Sequence, residues 1–466
     1  METAIWWIRR DLRLSDNQAL MLALERAQRV IPVFILDPKL LGSPYVGQNR
    51  VAFLFEGLRK LEYELRMRGS GLVLMHGDPL VVLQNLYQKT DAQAIFAEAD
   101  GSPYAKRRDE QVSHELPLKL THGITIHPRQ DLLKQNGIPY TVFTPFKRRW
   151  ESLPFPKKPF PVPQNLPGLP ELDTMSVSDL PPQTSPQTLI AGEVEAKKRL
   201  GAFIDSDLLY YAQGRDRMDL DSTSGLSPYL RFGMISARQA AWAAKDALAE
   251  VRDNNSRKSV AIWLTELIWR DFYSLILDYY PENLHASFRK NLVGIHWLED
   301  PAGFAAWAEG LTGYPVVDAA MRQLNATGWM HNRARMIAAS FLVKDLLIDW
   351  RSGQRYFMQH LLDGDPASNN GGWQWTAGTG TDAAPYFRIF NPVLQGKKFD
   401  PLGAYVRQWV TELSMVPVEY IHAPWTMPSD VQRRVGCVIG KHYPHPIVEH
   451  ANARRRALEA YRKARE

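Results

Sequence analysis

One cysteine in 466 residues, Cys437, leaves no internal disulfide and no thiolate set for a metal cluster. No stretch approaches the ~18 uninterrupted apolar residues of a membrane-spanning helix. The opening Met1-Glu2-Thr3 lacks the basic-then-apolar pattern of a secretory signal. The standard dinucleotide fingerprint is also missing. No G-x-G-x-x-G follows the first β-rich run, and Trp7-Ile8-Arg9-Arg10-Asp11 stands there instead. Walker loops, zinc spacings and an ordered Ser-His-Asp set do not occur, and there is no internal repeat. The net charge of +6 permits a polyanionic partner without requiring one. At 45% hydrophobic residues the chain can fill a large core and is not disordered as a whole. A reducing cytoplasm, no membrane association and a monomeric protein are the expectations.

What the chain has in excess is tryptophan. Of 14, all but Trp6, Trp7 and Trp150 lie beyond residue 200. Indole is a costly core filler because its N–H needs a partner when buried, so this concentration suggests stacking, electron transfer or both.

The first stretch alternates strand-like and helix-like runs. Ala4–Ile8, Val30–Leu36, Gly71–Met75 and Ala94–Ala97 are predicted strands. Asn17–Gln28, Val51–Met67 and Pro79–Gln88 are predicted helices between them. This alternation predicts a Rossmann-like α/β domain with a parallel sheet, whose ligand would sit at the carboxyl ends of the strands. Leu153–Pro186 carries about ten prolines and little periodicity, the composition of a semi-rigid linker lying over a surface. Beyond Glu193 the pattern is helical, with Val260–Tyr279, Pro315–Thr327, His331–Trp350, Gly353–Leu362 and His450–Arg465 as helices and Asn369-Asn370-Gly371-Gly372 as a break. The expected division is 1–130 α/β, 131–200 linker and 201–466 all-α.

Several constellations could carry chemistry. Trp263, Glu266, Trp269, Arg270 and Tyr273 share one helical face. Glu266 and Arg270 have the spacing of an ordinary surface pair, while the aromatics around them suit a cavity wall that would keep a carboxyl protonated. Trp329, Asn332, Arg335 and Met336 also fall on one face, and Asn332 either caps structure or reads a ligand. His360–Trp375 fails the calcium-loop pattern at Ala367, Ser368 and Gln374, so no metal is expected. Its Asp, Asn and Gly residues suit hydrogen bonds to a polar ligand. Thr223-Ser224-Gly225-Leu226-Ser227 fits either a helix cap or a phosphate cradle. Arg148, Arg149, Arg215, Arg217, Arg231 and Lys397-Lys398 would form a phosphate track only if they converged.

The run Gly313–Pro392, with TGWMHNRARM, ASFLVKDLLIDW, DGDPASNNGGWQW and FRIFNP, closely resembles the photolyase/cryptochrome flavoproteins. TSGLS, WLTELIWRDFY and the N-terminal WWIRRDLRLSDN match the same family in order. Within the family the chain is most similar to class I cyclobutane pyrimidine dimer photolyases. The resemblance implies an α/β antenna domain joined to a helical FAD domain. It also implies light-driven repair of UV-damaged DNA, in which excited FADH⁻ lends an electron to the dimer; a cryptochrome-like photoreceptor is the alternative. Tyr211, Thr223, Ser224, Gly225, Leu226, Ser227, Arg335, Asp363, Gly364, Asp365 and Asn369 match flavin-binding positions, with Asn369 facing the flavin N5. Glu266, Asn332, Trp269, Met336 and Trp375 match the lesion pocket. Arg215, Arg270, Arg333 and Gln395 match DNA contacts. Trp373, Trp350 and Trp297 match the proximal, middle and distal members of a photoreduction chain. At Ala99–Tyr104 the chain looks more like the branch that uses 8-hydroxy-5-deazaflavin as antenna than the methenyltetrahydrofolate branch; FMN or an empty site stay open.

Overall fold

The computed structural model describes residues 1–182 and 189–466. Residues 183–188, the end of the expected linker, lie outside it. The chain divides into two compact units: Met1–Ala212 with Thr223–Pro281 and Leu362–Ala367, and Gln213–Ser222 with Glu282–Leu361 and Ser368–Glu466.

The first unit is built on five parallel strands, β1 (Thr3–Ile8), β2 (Arg29–Leu36), β3 (Val73–His76), β4 (Ala94–Glu98) and β5 (Leu118–Thr121), in the order β3-β2-β1-β4-β5. β1 is central and wholly buried. Its alternate residues serve two cores: Ala4, Trp6 and Ile8 pack in one, Ile5 and Trp7 in the other. A strand that must fill both faces reads as the continuous apolar run that the sequence shows. Asn17 starts the helix Gln18–Arg26 by accepting from the Leu20 N–H at 2.9 Å. Asp78 caps Pro79–Lys89 in the same way. The order reverses between β1 and β4, which makes a ligand crevice at their carboxyl ends. The expected linker region runs irregularly along this unit, pinned where Leu166 N–H meets the Arg68 carbonyl at 2.8 Å and where Met175 bridges to Leu74.

The second unit is helical, with cores around Trp307, Trp350 and Trp373 and around Leu347 and Tyr461. Among the described residues no helix is long and apolar enough to cross a membrane.

Three sequence expectations need correction here. His331–Trp350 is not one helix. It runs as a helix over Asn332–Ser340 and a π-helical turn over Phe341–Asp345; Leu347 then adopts φ 54°, and Asp349 caps a new helix, Trp350–His360. The apolar run hides this break because neither Gly nor Pro marks it. Second, Asn369–Gly372 is not a break but lies within the helix Pro366–Ala377. Asn370 is buried there and donates to the Asn283 carbonyl at 2.8 Å and to Gln354 Oε1 at 2.7 Å. Such bonds outweigh the ~1 kcal/mol that each helical glycine costs. Third, Trp329 precedes the helix that carries Asn332 and is not on its face.

Candidate functional site

In the first unit the chain after β1 delivers Arg10 to the β1/β4 crevice, and the chain after β4 delivers Asp100. Arg10 is the hub. Its guanidinium reaches Asp365 at 2.6 Å and Asp100 at 3.3 Å and donates to the Arg231 carbonyl at 3.2 Å. Burial works against the charged form of Asp100, yet Arg10, the Ser102 N–H, Arg129 and Arg231 together hold its carboxyl below the usual range. Arg10, Asp100 and Asp365 edge a small open cleft also lined by Ser102, Arg270 and Ser274.

The same unit assembles the expected phosphate and ribityl residues. Ser227 opens the short helix Ser227–Phe232, and its hydroxyl donates to Asp363 at 2.5 Å. Arg231 donates to the Gly364 carbonyl at 2.9 Å, and Arg199 to that of Ser224 at 2.7 Å. Gly225 sits at φ +57°, and a Cβ there would strike the Arg199 guanidinium. Tyr211 is buried with its ring edge-on to Phe203. Hydroxyls, exposed backbone and two carboxylates beside arginines form a donor set that fits the phosphates and polyol of FAD.

On the helix Asn254–Tyr279, Glu266 and Trp269 are half-buried. Phe143 stacks on Trp269 at 3.5 Å, Tyr273 lies 5.4 Å away at a 29° tilt, and Phe272 packs edge-on at 5.7 Å. The Arg270 guanidinium is held by the carbonyls of Ile124 at 2.6 Å and Leu230 at 3.4 Å. Beside it the buried Asp271 carboxyl is pushed up to about 6 by burial, against Arg270 and the N–H groups of Ile126 and Trp150.

In the second unit His331 caps the helix Asn332–Ser340: its ring nitrogen Nδ1 accepts from the Arg333 N–H at 3.1 Å. Burial pushes this imidazole down to about 4, with Arg333, Arg335 and Arg215 adding to that and Asp216 opposing it; the neutral ring suits an acceptor. The first turn then presents Asn332 beside Met336, with Asn332 Nδ2 3.9 Å from the thioether sulfur. Arg335 donates to the Met330 carbonyl at 2.8 Å. Arg333 pairs with Asp216.

The helix Pro366–Ala377 carries Asn369, Trp373 and Trp375. Asn369 donates one amide N–H to the Gln354 carbonyl at 3.0 Å, leaving its oxygen and its second N–H to offer. Trp375 is half-buried on this helix, and Gln395 sits on another, Pro392–Phe399, with its Oε1 buried and without a partner among the described residues. Trp373 lies against Gly353, one turn beyond Trp350: a Cβ on Gly353 would come 2.0 Å from the indole. Trp297 packs edge-on to Tyr461 at 6.1 Å, and the following N–H, that of Leu298, bonds the Leu347 carbonyl three residues before Trp350.

Arg10, Asp100, His331 and Gly353 enter the sequence reading only inside longer segments, without a role, and Phe143, Asp216 and Gln354 are not singled out there. The Arg-Arg-Asp after β1 gave a visible signal but did not say what it faces.

Residues 4–164 match the family profile described as DNA photolyase, and residues 263–463 that described as the FAD binding domain of DNA photolyase. The deoxyribodipyrimidine photo-lyase of a Synechococcus species is 40% identical over 98% of this chain and 95% of its own. The class III photolyase of Agrobacterium tumefaciens has a crystal structure with a TM-score of 0.92 at 38% identity, covering 100% of this chain and 98% of that one. The Synechocystis cryptochrome structure is more distant, with a TM-score of 0.88 at 30% identity over 100% and 99% of the two chains. With relatives this similar along their full length, the chain belongs to the DNA photolyase family.

Proposed function

We propose that the chain is a deoxyribodipyrimidine photo-lyase that reverts cyclobutane pyrimidine dimers in UV-damaged DNA with light. The observation that carries this reading is the capped turn Asn332–Met336, which sets an amide beside a thioether on a helix that also carries Arg333 and Arg335. Thr223–Ser227, Arg335, Asp363 and Asp365 would hold FAD, which when bound and reduced supplies the light-excited electron. Asn369, with one amide N–H tied to Gln354, would accept from the flavin N5–H through its oxygen. Asn332 and Met336 would seat the flipped dimer, with Trp269 and Trp375 against its bases, and a neutral Glu266 would donate to a thymine carbonyl as charge develops there. Flipping a dimer is cheaper than flipping a sound pair, because it is poorly stacked and paired. Arg215, Arg270, Arg333 and Gln395 would meet the DNA. Class I remains our reading of the subdivision, resting on the Glu266, Asn332 and Met336 set.

Residues 1–130 would hold the antenna, 131–200 link and 201–466 hold the flavin. Tyr104, bonded through its hydroxyl to Asp37 after β2, and Asp100, accepting from the Ser102 N–H at 2.9 Å, place polar groups at the strand ends. On the Pro103-Tyr104 sequence, the antenna is read as 8-hydroxy-5-deazaflavin rather than methenyltetrahydrofolate. A monomer in the cytoplasm completes the reading.

The test is dimer repair in UV-irradiated oligothymidine, dark and illuminated, by flavin-loaded, reduced protein. Dimers should vanish only in light, and a (6-4) lesion should persist. Equal dimer counts in light and dark, with flavin photochemistry intact, would favour the photoreceptor. Glu266→Ala should lower the repair yield while flavin content stays near wild type. One lost hydrogen bond in a dry pocket is worth about 1–3 kcal/mol. Loss of flavin instead would make Glu266 structural.

A further inference from the structure

Arg333 is a candidate phosphate contact, yet its guanidinium is already engaged. Nη2 and Nε lie 2.7 and 3.2 Å from one carboxylate oxygen of Asp216, and the guanidinium carbon lies 4.4 Å over the ring of Phe399. The Asp216 segment is fixed to the same place, since the Met218 N–H donates to the Phe399 carbonyl at 3.0 Å. Lys398 lies 5.1 Å from that ring. Two residues beyond Met218's neighbour Arg217, the arrangement recurs in small: Arg217 pairs with Asp219 through two nitrogens. A basic surface meant for phosphates thus carries carboxylates built against its arginines.

The pair does little for the fold. The Arg333 and Asp216 side chains keep 17% and 37% of their exposure, and ion pairs that open to solvent contribute about 0–1 kcal/mol. Phe399 already stacks the guanidinium in place. What Asp216 adds is a negatively charged oxygen that accepts from two guanidinium N–H groups, the role a phosphodiester oxygen would take at the same arginine.

We infer that Asp216 is an intramolecular competitor for the DNA phosphate at Arg333, and so a determinant of how tightly the protein holds DNA. This rests on the reading of Arg333 as a phosphate contact. Every incoming DNA must displace the carboxylate, so affinity for lesion and undamaged sequence falls by the same factor. A lesion complex keeps its pocket contacts and survives the penalty. Undamaged DNA, held almost wholly by phosphates, is released sooner. An aspartate that instead aimed Arg333 at the phosphate would have the opposite sign, because its loss would weaken binding.

The experiment uses the flavin-loaded full chain in the dark. It titrates an undamaged duplex, and the same duplex with one dimer, across a salt series. Asp216→Asn should tighten both by about three- to tenfold at low salt and steepen the slope of log K against log salt by up to about 0.9. Asp216→Glu keeps the charge and should keep the wild-type slope. Arg333→Ala should weaken both duplexes, and in that background Asp216→Asn should change nothing. Unchanged or weaker binding by Asp216→Asn, with Arg333→Ala still weakening it, overturns the competitor and spares the phosphate reading. A Glu variant that behaves like Asn removes charge as the cause and also overturns it. Arg333→Ala without effect overturns the phosphate reading and the competitor with it. Flavin content, equal in all variants, reports that each is folded.

Discussion

Trp373→Phe stops light-driven reduction of oxidised flavin and leaves dimer repair by pre-reduced protein intact. Two separate electron routes are at stake. Repair starts and ends on the flavin, whereas photoreduction must draw an electron through the protein. Trp373 is buried against Gly353, with Phe357 edge-on at 4.9 Å and Trp307 at 6.1 Å. The indole nitrogens of Trp373 and Trp350 are buried without an acceptor among the described residues, whereas that of Trp307 donates to the Ala338 carbonyl. On the proposed route, an oxidised Trp373 or Trp350 would have no hydrogen-bond partner among the described residues to take its proton, and would pass the vacancy toward the half-buried Trp297. Phenylalanine keeps part of the bulk but is far harder to oxidise, and the smaller ring leaves a cavity whose cost should show as a modest loss of stability. The measurements are flavin absorbance under light with a thiol donor, and dimer repair after dithionite reduction. Normal photoreduction would take Trp373 out of the path, and lost repair in a folded, flavin-loaded, reduced variant would join the two routes.

The sequence made the sheet legible because β1, β2 and β4 are buried on both faces and had to be written as apolar runs. It concealed β5, a four-residue edge strand with two exposed residues, and the helix Pro103–Glu115. Only Ala105, Asp109 and Val112 of that helix are buried. Asp109 is inside because Arg9 and Arg108 meet it there at 2.5 and 3.0 Å. A helix whose buried face is partly ionic leaves little periodicity to detect. The π-helical turn before Trp350 was hidden for a different reason: it follows from where the chain must go to cap the next helix with Asp349, not from any local preference of Phe341–Asp345.

The site divides along the same line. The residues proposed to touch a ligand are strung in dense motifs, so Thr223–Ser227, Asn332–Met336 and Asp363–Trp375 stand out as strings. The residues that hold them are single and distant. Gln354 fixes both Asn369 and Asn370, one through its backbone and one through its side chain. Phe143 stacks on Trp269 from more than a hundred positions away. Such partners answer to three-dimensional geometry, and one chain carries no mark of the pairing.

Arg10 is the partner of this kind whose loss should cost most. It is met in the sequence only as part of the segment that replaces a glycine-rich turn, yet it joins Asp100 after β4, Asp365 of the flavin-binding candidates and the Arg231 carbonyl. Arg10→Met keeps length and removes the charge. Two carboxylates, at 12% and 18% side-chain exposure, then lose their shared cation. Breaking a buried pair from one side costs about 3–5 kcal/mol, so unfolding should move to clearly lower temperature and purified protein should carry less flavin. The pH dependence supplies the more specific mark. With Arg10 present the Asp100 carboxyl is held below its unfolded value, so its contribution to stability is full above about pH 4 and is lost only as the pH falls further. Arg10→Met removes the largest of the groups that hold the carboxyl down, so it should move up from its wild-type value. The acid loss of stability should then come at higher pH than in the wild-type protein. Unfolding followed from neutral into acid pH for both proteins reads the difference. Parallel pH profiles would mean that Arg129 and Arg231 already neutralise the crevice and that Arg10 is not its hub.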